Sequence, residues 1–529
     1  MNKQTEIYDL IIRGGLVIDG SGEGGRAADV AVKAGRIAAI GALEGAAAVE
    51  IDASGKVVTP GFIDIHSHCD QRIEEVPGAD NYLLQGVTTF LGGNCGDCSA
   101  SAGIKEHFDR LKGRLGVNYA LLAGFGDLRR AAMADPTAPV PTKKELKKMK
   151  DLLEKAMQDG AFGFSSGLEY VPDRFALPEE IEALATVAAS YGGFYATHIR
   201  DEQTGVLTAM GEAISVAANT GVSLEISHLK ACGAEVWGYG KTMVAMITEA
   251  RALGVNVHGD MYPYGASNTG FGQAFPNWAL EGGHQALKER LENPASRHRI
   301  IAYGKNQLKT RIGGDPSLIQ ISNYPPHKEW NGRRLSEILA ERGKELNLDN
   351  LMELVIEMYL ADKNTSIIYH YLDDADMKAL MRSPYVSMIS DGKVVKFGAG
   401  TPHPRSYGSF PRVLARYVGQ EYVLSPEEAI RKMTSLPASK MGLTDRGLLK
   451  EGYAADIVIY DEEKIMDKAD YLNAHQYPEG IDYVIINGVI AAEHGKVVCG
   501  RAGQIVYGPG YGQDKPFIKP RPLVKKTKQ

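Results

Sequence analysis

From about residue 142 onward the apolar positions switch repeatedly between two periods. Thr142-Lys-Lys-Glu145 has the spacing of a capping box, and Leu146, Met149, Leu153 and Met157 follow at helical intervals until Gly160. The run AFGFSS then reads as a strand. Pro178-Glu-Glu-Ile181 opens a second helix, and FYATH, 194–198, reads as the next strand. A third helix over about 203–219 leads into VSLEISH, 222–228, and a fourth over about 240–253 leads into VNVHGDMYPY. Strands therefore restart at 161, 194, 222 and 255, a spacing that matches one βα unit.

Such repeats imply an α/β fold with a parallel sheet, either open or closed as a TIM barrel. An open dinucleotide-binding sheet calls for GxGxxG, and the nearest string, AGFGDLRR, has Arg129 where the third glycine belongs. The expectation is a (β/α)8 barrel with strands at 62–66, 87–91, 117–123, 161–165, 194–198, 222–228, 255–260 and 386–391. SIIYHY, 366–371, would be a ninth strand. It is assigned to a cap-like insertion at about 274–380, a segment too long for a plain loop. Residues 1–59 and 446–529 hold short strands punctuated by glycine. They are expected to form a small β-sandwich domain built from both chain ends, flanking a metal-dependent barrel over 60–445.

Composition narrows the function. With 529 residues, 44% hydrophobic and 23% charged, the chain has the makeup of a multi-domain globular protein. A net charge of -6 argues against nucleic acid, and only the terminal PRPLVKKTKQ is basic. MNKQTEIYDLII lacks the pattern of a signal peptide, and no apolar run approaches the ~20 residues of a membrane span. Five cysteines in so long a chain suggest no disulfide framework, so a cytoplasmic location is expected.

The candidate chemistry gathers at strand ends. GFIDIHSH closes with His66 and His68, two residues apart and so on one face of an extended chain. Cys95 lies just beyond GVTTFLGG, and His198, His228 and Asp391 close three more strands. Imidazole, thiolate and carboxylate form a zinc-type donor set, with more donors than one tetrahedral ion uses. A metal held there would activate water for attack on a carbonyl.

At these residues the sequence resembles the amidohydrolase superfamily, and within it the N-acyl-D-amino-acid deacylases (D-aminoacylases). The matching strings are TPGFIDIHSHCD, GVTTFLGGNCG, GFSSGLEYVP, YATHIRDE, ISHLK, DMYPY, MISDG and GLLKEGYAADIVIYD. The fourth strand lacks the metal-bridging lysine found in most two-metal relatives, and Cys95 stands where the deacylase branch places a cysteine. The resemblance implies a zinc-dependent hydrolase that cleaves the amide of N-acyl-D-amino acids to a carboxylate and a free amino acid. It implies a tight Zn2+ site of Cys95, His198 and His228, and a weaker second one of His66, His68 and Asp391. Asp391 would also be the catalytic proton shuttle. Lys230 would bind the substrate carboxylate, aided by Tyr262 or Tyr264, with Arg200 and Arg405 as second candidates. His403 is a further loop residue within conceivable reach of substrate. Cys98, Cys69, His258 and His370 are expected to be packed bystanders. Phe125 stands where the family carries a histidine, which puts the substrate's identity in question more than the metal chemistry. Two other readings stand beside this one: a cyclic-amide hydrolase, disfavoured by the missing lysine, and a non-catalytic scaffold, disfavoured by six retained donors.

Overall fold

The computed structural model describes residues 7–100 and 103–523. The first six residues and the three last lysines of the basic tail lie outside that range.

Helix formation follows the sequence pattern closely. Lys143–Gln158 is capped by Thr142 and Glu145 in a reciprocal box, Pro178–Ser190 begins with its proline in the first turn, and Val206–Thr220 ends on Gly221 in the left-handed conformation. The strands between them, Gly163–Gly167 and Phe194–His198, are buried throughout, as parallel strands covered on both faces must be.

Six parallel strands form one sheet in the spatial order Val386–Met388, Val257–Met261, Ser223–Ile226, Phe194–His198, Gly163–Gly167 and Ala123–Gly124. Phe62–Asp64, Val87–Gly92 and Asn118–Leu121 form a second parallel sheet. Only Leu122 separates the two sheets along the chain. At the opposite edges, the Asp391 amide donates to His66 O at 2.9 Å and the His68 amide to Gly392 O at 2.8 Å. The first strand ends at Asp64, earlier than the sequence pattern implies, so His66 and His68 sit in the segment that follows it.

Strands from both chain ends share a nine-stranded sheet, in which Val57–Pro60 pairs with Ile457–Tyr460 on one side and Ile7–Val17 on the other. The insertion has its own three-stranded antiparallel sheet of Ala266–Thr269, Ser366–His370 and Ile319–Asn323, over a separate apolar core. It therefore begins earlier than residue 274. Its sequence limit of 380 is also too late, because the helix Asp374–Met381 packs on Gly240–Ala252 beside the parallel strands. Beyond the last sheet strand, residues 503–523 run back under the parallel strands, with hydrogen bonds to Leu115, Gly160, Ser190 and Ala218. Among the described residues no helix is long and apolar enough to cross a membrane.

Candidate metal centre

Every one of the six expected donors lies just past or at the C-terminal end of a parallel strand. Cys95 follows Val87–Gly92 in a loop that presses on the next sheet: a Cβ on Gly167 would meet Cys95 O at 2.2 Å, so only glycine lets the loop seat. Cys95, His228 and Asp391 all adopt positive φ, at 55°, 33° and 49°. Non-glycine residues are held so only where surrounding structure enforces it, and such strain concentrates at functional sites.

The donor atoms converge. Cys95 Sγ lies 3.5 Å from His66 Nε2 and 3.4 Å from His228 Nε2, and His198 Nδ1 lies 3.0 Å from His228 Nε2. Asp391 Oδ1 is 3.1 Å from His68 Nε2 and 3.6 Å from His66 Nε2. Within each of the sets His66–His68–Cys95, Cys95–His198–His228 and His66–His228–Asp391, the candidate ligand atoms are within 4.8 Å of one another. Asp391 Oδ1 is buried without a hydrogen-bond partner. Lone-pair donors turned on one another in a buried site, one of them an orphaned carboxylate oxygen, fit a cation between them.

The surrounding charges agree. Burial holds the Cys95 thiol well above its ordinary range, so it ionises only beside a cation, and pushes His66 down to about 4, which keeps the ring neutral and able to ligate. Burial opposes ionisation of Asp391 too, but the Arg405 guanidinium 2.6 Å away and His68 outweigh it and hold the carboxyl well below its usual value. A further acidic group, Glu169 and Glu202 beside His198, is also close enough to grip an ion. Its carboxylates are already engaged: Lys230 Nζ donates to Glu202 at 2.5 Å, Gln273 to Glu169 at 2.5 Å, and Arg311 stands 3.6 Å from Glu169.

All the donors but His66 line a cavity of about 670 Å³ that the insertion walls on one side through Thr269, Gln273 and Arg311. Lys230, Tyr262 and Arg405 line it. Lys230 Nζ lies 5.9 Å from the Tyr262 ring centre and the Arg405 guanidinium 4.8 Å from it, and the buried Tyr262 hydroxyl has no partner. Arg200 does not belong to this group. Its guanidinium is spent on Glu212 and on the carbonyls of Arg174 and Ala176, because an arginine ahead of a helix finds the nearest carboxylate on it. Tyr264 is also displaced, packed under Arg412 away from the cavity lining. His403 uses both ring nitrogens, one on Ala266 O and one accepting from the Arg405 amide, so it orients Arg405 and does not reach the cavity. Phe125 is fully buried in the main core. Cys69, Cys98 and His258 are buried, and His370 bonds Gln320 inside the insertion.

Sequence reasoning passed over Glu202, Glu169, Asp260 and Arg311. Asp260 receives the His228 amide at 2.5 Å and lies 3.3 Å from His66 Nδ1. Glu202 and Asp260 sit inside the strings YATHIRDE and DMYPY, so their proximity to a candidate histidine or strand end was the available signal. Arg311 comes from the insertion helix Pro294–Ile312 and had none.

Strand-end sulfur, nitrogen and oxygen donors over a walled cavity define a metal-dependent hydrolase type of site. The chain carries the signature of the Amidohydrolase family over residues 49–268 and 333–492, the gap falling in the insertion. It is 34% identical over 505 residues to the N-acyl-D-glutamate deacylase of Alcaligenes xylosoxydans xylosoxydans, covering 91% of this chain and 93% of that protein. It is 33% identical to the D-aminoacylase of the same organism, over 92% of this chain and 94% of that one. The solved structure of N-acyl-D-glutamate deacylase from Bordetella bronchiseptica, complexed with zinc and a phosphonate inhibitor mimicking the tetrahedral intermediate, matches with a TM-score of 0.81. The two are 33% identical, over 95% of this chain and 100% of that one. An L-hydantoinase from Arthrobacter aurescens, at 18% identity and a TM-score of 0.58, shares the fold alone. The chain belongs to the amidohydrolase family, in its N-acyl-D-amino-acid deacylase branch, and is a metal-dependent hydrolase of linear amide C–N bonds.

Proposed function

We propose that the protein hydrolyses N-acyl-D-amino acids to a carboxylate and a free D-amino acid, on a (β/α)8 barrel whose two parallel sheets are one closed wall. The observation that carries the reading is the convergence of Cys95, His198, His228, His66, His68 and Asp391 at one set of strand ends. Cys95, His198 and His228 would hold the tighter Zn2+, and His66, His68 and Asp391 a weaker second ion. Zinc held there supplies Lewis-acid activation of water and of the scissile carbonyl.

The chain's own groups do the rest. Asp391, kept ionised by Arg405, takes a proton from the attacking water as the new C–O bond forms. It then delivers that proton to the departing nitrogen as the C–N bond breaks. The substrate carboxylate docks between Lys230 and Arg405 and accepts the hydrogen bond of the unpartnered Tyr262 hydroxyl. The insertion caps the cavity and limits water. The sheet joining both chain ends serves as the small second domain, and five free cysteines suit a cytoplasmic setting.

A screen of N-acetyl, N-formyl and N-succinyl D- and L-amino acids against zinc-loaded protein tests the reading. D-substrates should turn over at least about tenfold faster in kcat/KM than L-substrates, and Asp391→Asn should abolish turnover with zinc retained. Hydrolysis confined to cyclic amides, or near-normal kcat in Asp391→Asn, would overturn it.

A further inference from the structure

A ligating imidazole offers a bare nitrogen to the ion, so its proton must sit on the other ring nitrogen and find an acceptor there. His198 and His228 answer this requirement in opposite senses. His198 turns Nδ1 toward the donor cluster, 3.0 Å from His228 Nε2, while His228 turns Nε2 toward it, 3.4 Å from Cys95 Sγ. The outward nitrogens, His198 Nε2 and His228 Nδ1, then need acceptors: Glu202 faces His228 Nδ1, and Glu169 and Glu202 both stand near His198 Nε2, Glu169 the nearer. Glu202 Oε1 lies 3.1 Å from His228 Nδ1 and Oε2 lies 3.7 Å from His198 Nε2. Glu202 is 3% exposed, with its amide anchored on Glu169 at 3.1 Å and its carbonyl on the Cys232 amide at 2.7 Å. His198 Nε2 is buried and otherwise unbonded, with Glu169 Oε2 at 3.4 Å as its other neighbour.

We propose that Glu202 is a positioning residue whose carboxylate selects the Nδ1–H form of His228, while Glu169, the nearer acceptor, selects the Nε2–H form of His198, freeing the two inward nitrogens to ligate. The inference rests on the zinc reading of the site. Lys230 is the counterweight. Its Nζ lies 2.6 Å from His228 Nδ1 as well as 2.5 Å from Glu202 Oε1. An ammonium only donates, so that contact favours the opposite form of His228, with its proton turned inward. When Nδ1 carries the proton, Lys230 must leave it, staying on Glu202 or turning toward the Tyr262 side of the cavity where the substrate carboxylate docks. Loading the centre and freeing the substrate-binding ammonium are thereby coupled.

Zinc affinity measured by chelator competition separates the parts. Glu202→Gln is expected to weaken zinc by at least about tenfold, since an amide nitrogen turned on His228 Nδ1 donates where an acceptor is needed. Glu169→Gln, which removes the acceptor nearest His198, is expected to weaken zinc as well while leaving the His228 nitrogen signals unchanged. Lys230→Met is expected to bind zinc as tightly as the parent or tighter, and it reports even if Glu202→Gln does not fold. Nitrogen NMR of histidine-labelled, zinc-loaded protein should show an Nδ1–H ligand ring that Glu202→Gln perturbs and an Nε2–H ligand ring that Glu169→Gln perturbs. A Glu202→Gln protein that folds and binds zinc within threefold of the parent, or a Lys230→Met protein that loses zinc tenfold, would overturn the proposal alone. A parent that takes up no zinc would overturn the underlying reading and this one with it.

Discussion

At the scale of single residues, the site is built from groups that are costly to hold. Cys95, His228 and Asp391 carry left-handed backbone, an expense of ~1–3 kcal/mol each that the tight loops around them must offset. Tyr262 adds a buried hydroxyl with no partner. Leaving such a group unpaired costs ~1–3 kcal/mol, so Tyr262→Phe should raise the thermal midpoint of the free enzyme slightly while raising KM for acyl amino acids several-fold. A variant with lowered stability and unchanged KM would show that the hydroxyl has a structural partner and no substrate. The six donors were legible because strand ends can be read from apolar runs, and a donor at such an end has a defined place. Lys230 was named by resemblance and Arg405 as a second cation for a substrate carboxylate, and both line the cavity. Glu202 was passed over although it lies four residues after His198, because its contact with His228 comes from another strand and is made only in three dimensions. Arg200 misled because an arginine beside a strand end looks available until the helix that supplies Glu212 is placed.

Among the elements, the parallel strands and the helices between them were read within a few residues, since periodicity there is long and capping is explicit. Boundaries failed where tertiary pairing overrides local pattern. Ala266–Thr269 looks like the tail of the preceding strand, yet it pairs with Ser366–His370 and starts the insertion. The terminal sheet depends on similarly distant pairing, and Asp461 pins it. Its carboxylate binds Lys56 at 2.7 Å and Lys464 at 3.0 Å, tying the end of Ile457–Tyr460 to the base of Val57–Pro60. Those two lysines lower its pKa from 3.8 to about 2. A carboxyl depressed on folding stabilises the fold above its unfolded pKa and loses that contribution as pH falls through the folded one. With solvent screening allowed for, Asp461→Asn should cost about 1–2 kcal/mol near neutral pH, and the gap to the parent should close between about pH 4 and pH 2. Chemical denaturation across that pH series checks it, and a pH-independent gap would contradict the linkage.

For the whole molecule, function and stability sit at opposite ends of the parallel strands. The donors gather at the C-terminal ends. Residues 503–523 strap the N-terminal ends, with the Gly503 amide on Leu115, Gly508 on Gly160, Phe517 on Ser190 and Leu523 on Ala218. The sequence pattern assigned this segment to the small domain and a tail, because extended chain without apolar alternation leaves no sign of what it crosses. At ~0.5–1.5 kcal/mol for each such hydrogen bond, ending the chain after Val498 should lower stability by at least about 3 kcal/mol. Zinc content per folded molecule should stay unchanged. An unaltered denaturation midpoint would show that the strap contributes nothing.

The account depends most on sulfur and nitrogen sharing one ion, and X-ray absorption at the zinc edge of the loaded protein measures that directly. It should report one sulfur at ~2.3 Å and nitrogen or oxygen neighbours at ~2.0–2.1 Å, with the sulfur lost in Cys95→Ala. Fully active protein whose zinc shows only nitrogen and oxygen neighbours would contradict it.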